Sequence, residues 1–224
     1  MNRLERLDTL EGTTRLFDLG PYTVRRGKLA HAIGLIEDYH YTARRTADPM
    51  YVFLLTDEKR ALAAAVYTAP VNRYFGKGAV ELARLVREPE LTFPLSRFVA
   101  ATLRFMRQDR RELRYCLSYA DSTVGHHGGI YQALNFTYVR TSRGNVMYRH
   151  VATGRLVSGR SFDQHAADNK VGWERLRTGK KYLYVYPLNE PIKHLLARFE
   201  WTALPYPKPD LTELGDEELT DATS

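Results

Sequence analysis

The chain has 224 residues, 44% of them hydrophobic, which suffices for one sizeable domain with a buried core and excludes wholesale disorder. No apolar run approaches the roughly 20 residues of a membrane span, and the opening MNRLERLDTLEGTTRL lacks a signal-peptide stretch. The single cysteine, Cys116, rules out an internal disulfide and a Cys-rich zinc cluster, so a protein of the reducing cytosol is expected. Net charge is +7, with −5 in the last twenty residues; the remaining +12 on residues 1–204 predicts attraction to polyanions, nucleic acid or an acidic cofactor among them.

GKLAHAIGLIEDYH (27–40) spaces Leu29, Ile33 and Ile36 as a helix that ends near His40. YVFLLT (51–56) and ALAAAVYT (61–68), separated by Asp57-Glu58-Lys59-Arg60, predict a hairpin, and AVELARLV (79–86) a further strand. Residues 94–109 put Leu95, Phe98, Val99, Leu103 and Met106 on one helical face, with Pro94 near the start. LRYCLSYA (113–120) reads as a strand, 129–136 as a short helix, and 137–141 with 146–151 as a pair of strands around the turn 142–145. KYLYVYPL (181–188) is a strand, 189–199 a helix, and the acidic segment after Pro205 a loosely held tail. The expected organisation is a core over 1–151, a basic extension over 152–204 and a tail over 205–224.

The segment YADSTVGHHGGIYQALNFTYV (119–139) is the richest in chemistry. Asp121 stands where a strand gives way to a loop, the usual place for a site in an open α/β sheet. Gly125, Gly128 and Gly129 permit close approach of a ligand to the backbone, and Tyr131 falls in the first turn of the next helix, able to pass a proton. The plain alternative is a tight connection whose tyrosine only packs. His126 and His127 are adjacent and point apart, so one of them, not both, would line a pocket.

A strand, a helix containing IYQALNF and a strand TYV are together similar to the closing half of GNAT-type acetyltransferases. More narrowly, SYAD…GHHGGIYQALNFTYV with EDYHYTARR (37–45) and ELARLV…LSRFV (81–99) resembles the bacteriophage Mom proteins, over about residues 30–150 with an echo in GKKYLYVYPL. That resemblance implies a GNAT-like mixed central sheet flanked by helices, and acetyl-CoA as cofactor. It further implies conversion of adenine in DNA to N6-(methylcarbamoyl)adenine, which protects phage DNA from host restriction in the host cytoplasm. Carried over by position, it makes Asp121, Tyr131, His40 and Tyr41 catalytic, and gives Arg84 and Ser96 to substrate or cofactor. Thr92 joins them as a donor, because the loop REPELTFPLS (87–96) lacks the glycines that usually cradle the coenzyme A pyrophosphate. Iron is a further implied group, with His40, Asp121 and Tyr131 as its candidate ligands.

Each residue also has an ordinary reading. His40 can be a helix-terminal histidine, Arg84 can pair with Glu81 or Asp121, and Ser96 can cap its helix. In the extension, Arg155, Arg160, Lys170, Arg175, Arg177, Lys180 and Lys181 with Trp173 form a set suited to phosphates and stacked bases of double-stranded DNA. Two other functions fit the same chain. One is a GNAT N-acetyltransferase acting on an aminated hypermodified base, a protein or a small amine. The other is a non-catalytic nucleic-acid-binding protein.

Overall fold

The computed structural model describes residues 10–40, 48–122, 125–142, 146–154, 156–158, 162, 171–176 and 179–208. The main sheet is built from β1 (Thr14–Leu19), β2 (Tyr22–Arg26), β3 (Pro49–Thr56), β4 (Ala61–Thr68), β5 (Ala79–Arg87), β6 (Tyr115–Asp121), β7 (Thr137–Ser142) and β11 (Lys181–Pro187). A smaller sheet holds β8 (Met147–His150), β9 (Leu156–Ser158) and β10 (Trp173–Leu176). The helices are α1 (Leu29–Tyr39), α2 (Leu95–Asp109), α3 (Gly129–Ala133) and α4 (Ile192–Arg198). None is long and apolar enough to cross a membrane.

The 8-stranded sheet runs β1-β2-β3-β4-β5-β6-β11-β7, and β5 with β6 is its parallel pair. Alternation along the strands sends successive side chains to opposite faces. One face carries Tyr51, Phe53, Ala63, Ala65, Tyr67, Leu82 and Cys116 and packs on Phe98, Val99, Leu103 and Met106 of α2, with Tyr131 and Leu134 against its edge. The other face carries Val52, Leu54, Ala64, Val66 and Val86 under Ala32, Leu35 and Ile36 of α1. Further along that second face, Leu117, Val139, Leu183 and Val185 receive Leu195 of α4. The alanine run of β4 is buried on both faces, so small side chains there let the two helix layers close over a thin sheet.

Three expectations differ from what forms. The strands 137–141 and 146–151 do not make a hairpin: β7 pairs with β11, while β8 pairs with β10 and β9. The strand expected inside the 152–204 extension is β11, and it sits between β6 and β7 with Tyr184 and Val185 fully buried, so the core sheet draws on residues beyond 151. The first stretch of the tail is also held: Leu204 N donates to Tyr138 O at 2.8 Å, Tyr206 Oη to Phe136 O at 2.8 Å and Gln132 Nε2 to Pro207 O at 3.2 Å.

Two irregularities shape the middle of the sheet. The parallel ladder is short, with Ala79, Val80 and Glu81 opposite Tyr115, Cys116 and Leu117, after which β5 and β6 run on unpaired with one another and the sheet opens. On its other edge β5 carries a bulge, since Tyr67 lies opposite Leu82 but Val66 opposite Arg84. The extra residue, Ala83, turns Arg84 away from the face of Leu82 and onto the face of α1.

Candidate active site

The opening between β5 and β6 lies at the carboxyl ends of a parallel pair, where an open α/β sheet presents its ligands. Different chemistry flanks it on each face.

On the α1 face the bulge brings Arg84 beside His40, the residue that closes α1 with its N–H donated to Ile36 O at 3.1 Å. Burial, with Arg84 and His126 adding to it, pulls the His40 imidazole down to about 4, so the ring is neutral at physiological pH. Glu81, last in the ladder, is raised by burial, with Arg84 and Lys181 acting against that shift. Lys181 Nζ lies 3.6 Å from Asp121, whose carboxylate is largely buried. The loop after Asp121 is fastened at its base: His126 N donates to Asp121 O at 3.1 Å, and Ser122 N to Lys180 O at 2.9 Å. The ordinary reading of Arg84 thus holds in part, because Glu81 shares its field, and Asp121 takes Lys181 as its partner.

On the α2 face Tyr131 points at the same opening. Its ring is held between Phe136 and Tyr184, with centroids 5.4 and 5.2 Å away. Its hydroxyl lies 2.8 Å from Ser118 Oγ, which is itself 3.0 Å from Leu82 O. The glycine loop sets this geometry. Gly128 has φ +92°, and a Cβ there would lie 2.4 Å from the Tyr184 ring, so only glycine lets the chain pass flat over the aromatic that backs Tyr131. Tyr184 Oη donates to His127 O at 2.6 Å, and Gln132 Nε2 donates to both, at 3.1 Å to the hydroxyl and 3.2 Å to the carbonyl.

The proposed phosphate donors lie at the start of α2. Thr92 is exposed, and Ser96 is the second residue of the helix, half-buried. Pro94 occupies the cap position and no side chain caps the helix, so Ser96 is not its cap. None of residues 88–96 has a positive φ, which explains how a loop without glycine reaches the helix. Its shape is fixed by buried Leu91 and Phe93, by Arg87 Nη1 donating to Leu91 O at 2.9 Å, and by the Arg60–Glu88 ion pair.

The iron expectation is not met by these side chains. Asp121 belongs to the α1 face and Tyr131 to the α2 face, and among the described residues no group of three or more His, Cys, Asp or Glu could hold a metal. Of the expected DNA set, Arg175 and Lys180 are exposed. Trp173 is instead packed against Phe162 and His150, with centroids 5.6 and 4.9 Å away, and Lys181 is turned to Asp121. Tyr41, Arg155, Arg160, Lys170 and Arg177 lie outside the described residues. Sequence reasoning missed Ser118 as a member of the site and named Glu81 only as a partner for Arg84; a polar residue inside an apolar strand beside a predicted site was the available signal.

A mixed sheet with helices on both faces, opening at its parallel pair, is the fold of the GNAT acetyltransferases. The ribosomal-protein-S18-alanine N-acetyltransferase of Escherichia coli is similar to it, with a TM-score of 0.50 at 12% identity, over 76% of this chain and 96% of that one. An N-acetyltransferase of Staphylococcus aureus gives a TM-score of 0.47 at 13% identity, over 75% of this chain and 98% of the other. Within that class the family is defined by sequence: the Mom protein family model matches residues 21–208, and the chain belongs to that family. No curated protein matches the chain in sequence.

Proposed function

We propose that this chain is a Mom-type DNA-modifying acyltransferase that converts adenine in DNA to N6-(methylcarbamoyl)adenine with an acetyl-CoA-derived group. The observation that carries the reading is the opening between β5 and β6, flanked by a phenol on one face and by a neutral imidazole and a carboxylate on the other, in a chain of the Mom family.

Acetyl-CoA supplies an activated acyl carbon joined to a thiolate leaving group. The first turn of α2, with Ser96 and the preceding Thr92, offers hydroxyl and backbone donors for its phosphates. Tyr131 holds its hydroxyl at the opening, where it gives its proton to the departing sulfur. His40 and Asp121, on the α1 face, would take the proton that the exocyclic amine loses as its nitrogen bonds to the carbonyl carbon and the thiolate leaves. This step balances as acyl transfer to N6, and the further NH of the methylcarbamoyl product requires a nitrogen donor and a two-electron oxidant as co-reactants. Lys181 Nζ, 3.6 Å from the Asp121 carboxylate, holds that side chain at the opening. To reach these groups an adenine must leave the duplex stack, because half-buried His40 and Tyr131 and buried Asp121 are recessed about the opening of the sheet. The small β8–β10 sheet leaves the core at the end of β7 and returns at β11, beside Asp121, and so stands where duplex DNA would be gripped.

Mass spectrometry of nucleosides from DNA co-expressed with the protein tests the reading. The expected product is a modified deoxyadenosine. An acetyl group and the methylcarbamoyl group differ by one NH, so the mass separates plain acetylation from the Mom-type product. Unmodified DNA, together with thiol release from acetyl-CoA on a small amine, would move the assignment to an ordinary N-acetyltransferase.

A further inference from the structure

The serine in the middle of β6 has a position that packing alone does not explain. Ser118 is fully buried on an otherwise apolar face, between Cys116 and Ala120. The β5–β6 ladder ends at Glu81 opposite Leu117. Beyond that point a side chain of β6 meets the backbone of Leu82: Ser118 Oγ is 3.0 Å from its carbonyl oxygen. The same Ser118 Oγ is 2.8 Å from the Tyr131 hydroxyl. Both separations are ordinary for O–H···O bonds.

A serine hydroxyl has one proton and two lone pairs. A carbonyl oxygen only accepts, whereas a phenol gives or accepts. Two arrangements follow for the same three atoms. With a neutral phenol the serine proton rests on Leu82 O. With a phenolate the proton turns to Tyr131, where the charge makes the stronger acceptor. Neither atom moves; only the hydroxyl rotates.

We propose that Ser118 is a positioning residue for Tyr131, a rotating donor that leaves the Leu82 carbonyl for the phenolate when Tyr131 gives up its proton. Its catalytic value rests on the reading of Tyr131 as the acid, but the coupling itself does not. A donor aimed at the phenolate favours the ionised form, so Ser118 makes Tyr131 the stronger acid.

The test is a pH titration of the Tyr131 ring carbon bearing oxygen, by NMR of tyrosine-labelled protein, with the resonance assigned by its loss in Tyr131→Phe. In Ser118→Ala the midpoint should rise by about one pH unit, and DNA modification should slow about tenfold, the same factor read in rate. Ser118→Cys, with its weak donor, should fall between wild type and alanine; if the alanine variant does not fold, the cysteine variant alone must still show the rise. A midpoint that stays at the wild-type pH in a folded Ser118 variant overturns the proposal, and a lowered melting temperature without a shift does the same. A shifted midpoint with fully active Tyr131→Phe supports the coupling and overturns the acid role, so the two failures are told apart.

Discussion

Tyr131→Phe removes one hydroxyl from a ring that Phe136 and Tyr184 hold in place. The folded state then loses about one net hydrogen bond, ~0.5–1.5 kcal/mol, while the loss of an acid costs ~10²–10⁴ in rate. Asp121→Asn keeps the shape and cancels the charge that Lys181 faces at 3.6 Å, and the same fall in rate is expected. Melting temperature, DNA binding and DNA modification measured on one preparation of each variant check this. Wild-type modification by both would remove them from the site. His40 gives a prediction in pH. Its folded pKa of about 4 lies below the ordinary 6.5, so between those values the unfolded chain binds the extra proton. Stability is therefore full above 6.5 and falls as pH drops towards 4, by on the order of 1–2 kcal/mol once solvent near a half-buried ring is allowed for. Denaturant melts across that window should show the slope in wild type and a flatter one in His40→Gln.

Among the elements, the loop into α3 is the most exacting. Gly128→Ala would set a methyl 2.4 Å from Tyr184 at φ +92°, and a loss of about 2–3 kcal/mol is expected, with misplacement of Tyr131. Gly125→Ala, at φ +70° with nothing within 4 Å, should cost only about 1 kcal/mol; thermal melts of the two variants separate packing from backbone strain. The loop's glycines were legible in the sequence as close-approach residues, but their object was not. Gly128 makes room for Tyr184, a residue 56 positions later on a strand that periodicity assigns no neighbour. The helices over 29–39 and 95–109 and the strands of β3, β4 and β6 could be read because each carries its own local pattern. The 137–151 hairpin could not be judged that way, since β7 and β8 each satisfy a strand pattern and only the distant β11 and β10 decide their partners. Arg84 shows the same limit in miniature. Its type announced a role, but its face depends on a bulge that no sequence period reveals.

For the whole molecule, charge is the property to test. If phosphate contacts drive DNA binding, affinity for random duplex should fall by orders of magnitude between ~50 and ~200 mM salt. Filter binding across that range checks it, and salt-independent binding would take DNA off the list of partners. The acidic tail also has a bearing on this. Residues up to Pro207 are tied to Gln132, Phe136 and Tyr138, so a cut made after 208 removes acidic charge and leaves the Leu204, Tyr206 and Pro207 bonds intact. That truncation should tighten DNA binding modestly and leave the melting temperature unchanged. The sequence alone displayed the charge asymmetry fully, yet placed the end of the ordered body at 204, because hydrogen bonds made by backbone groups and Tyr206 leave no mark in composition.

The place of β11 in the sheet has a consequence for how the chain is made. β6 and β7 are separated by a strand that is synthesised about forty residues after β7 ends. While the ribosome is still adding residues 143–180, β7 has no strand to pair with, and Tyr138 and Val139, both buried in the finished sheet, lack their cover. The nascent chain therefore carries a near-complete sheet with an open edge at β6, the state most exposed to chaperones and to mispairing. Maturation waits for Lys181–Pro187 to thread between two strands already made, which ties the burial of Asp121 to one of the last acts of translation.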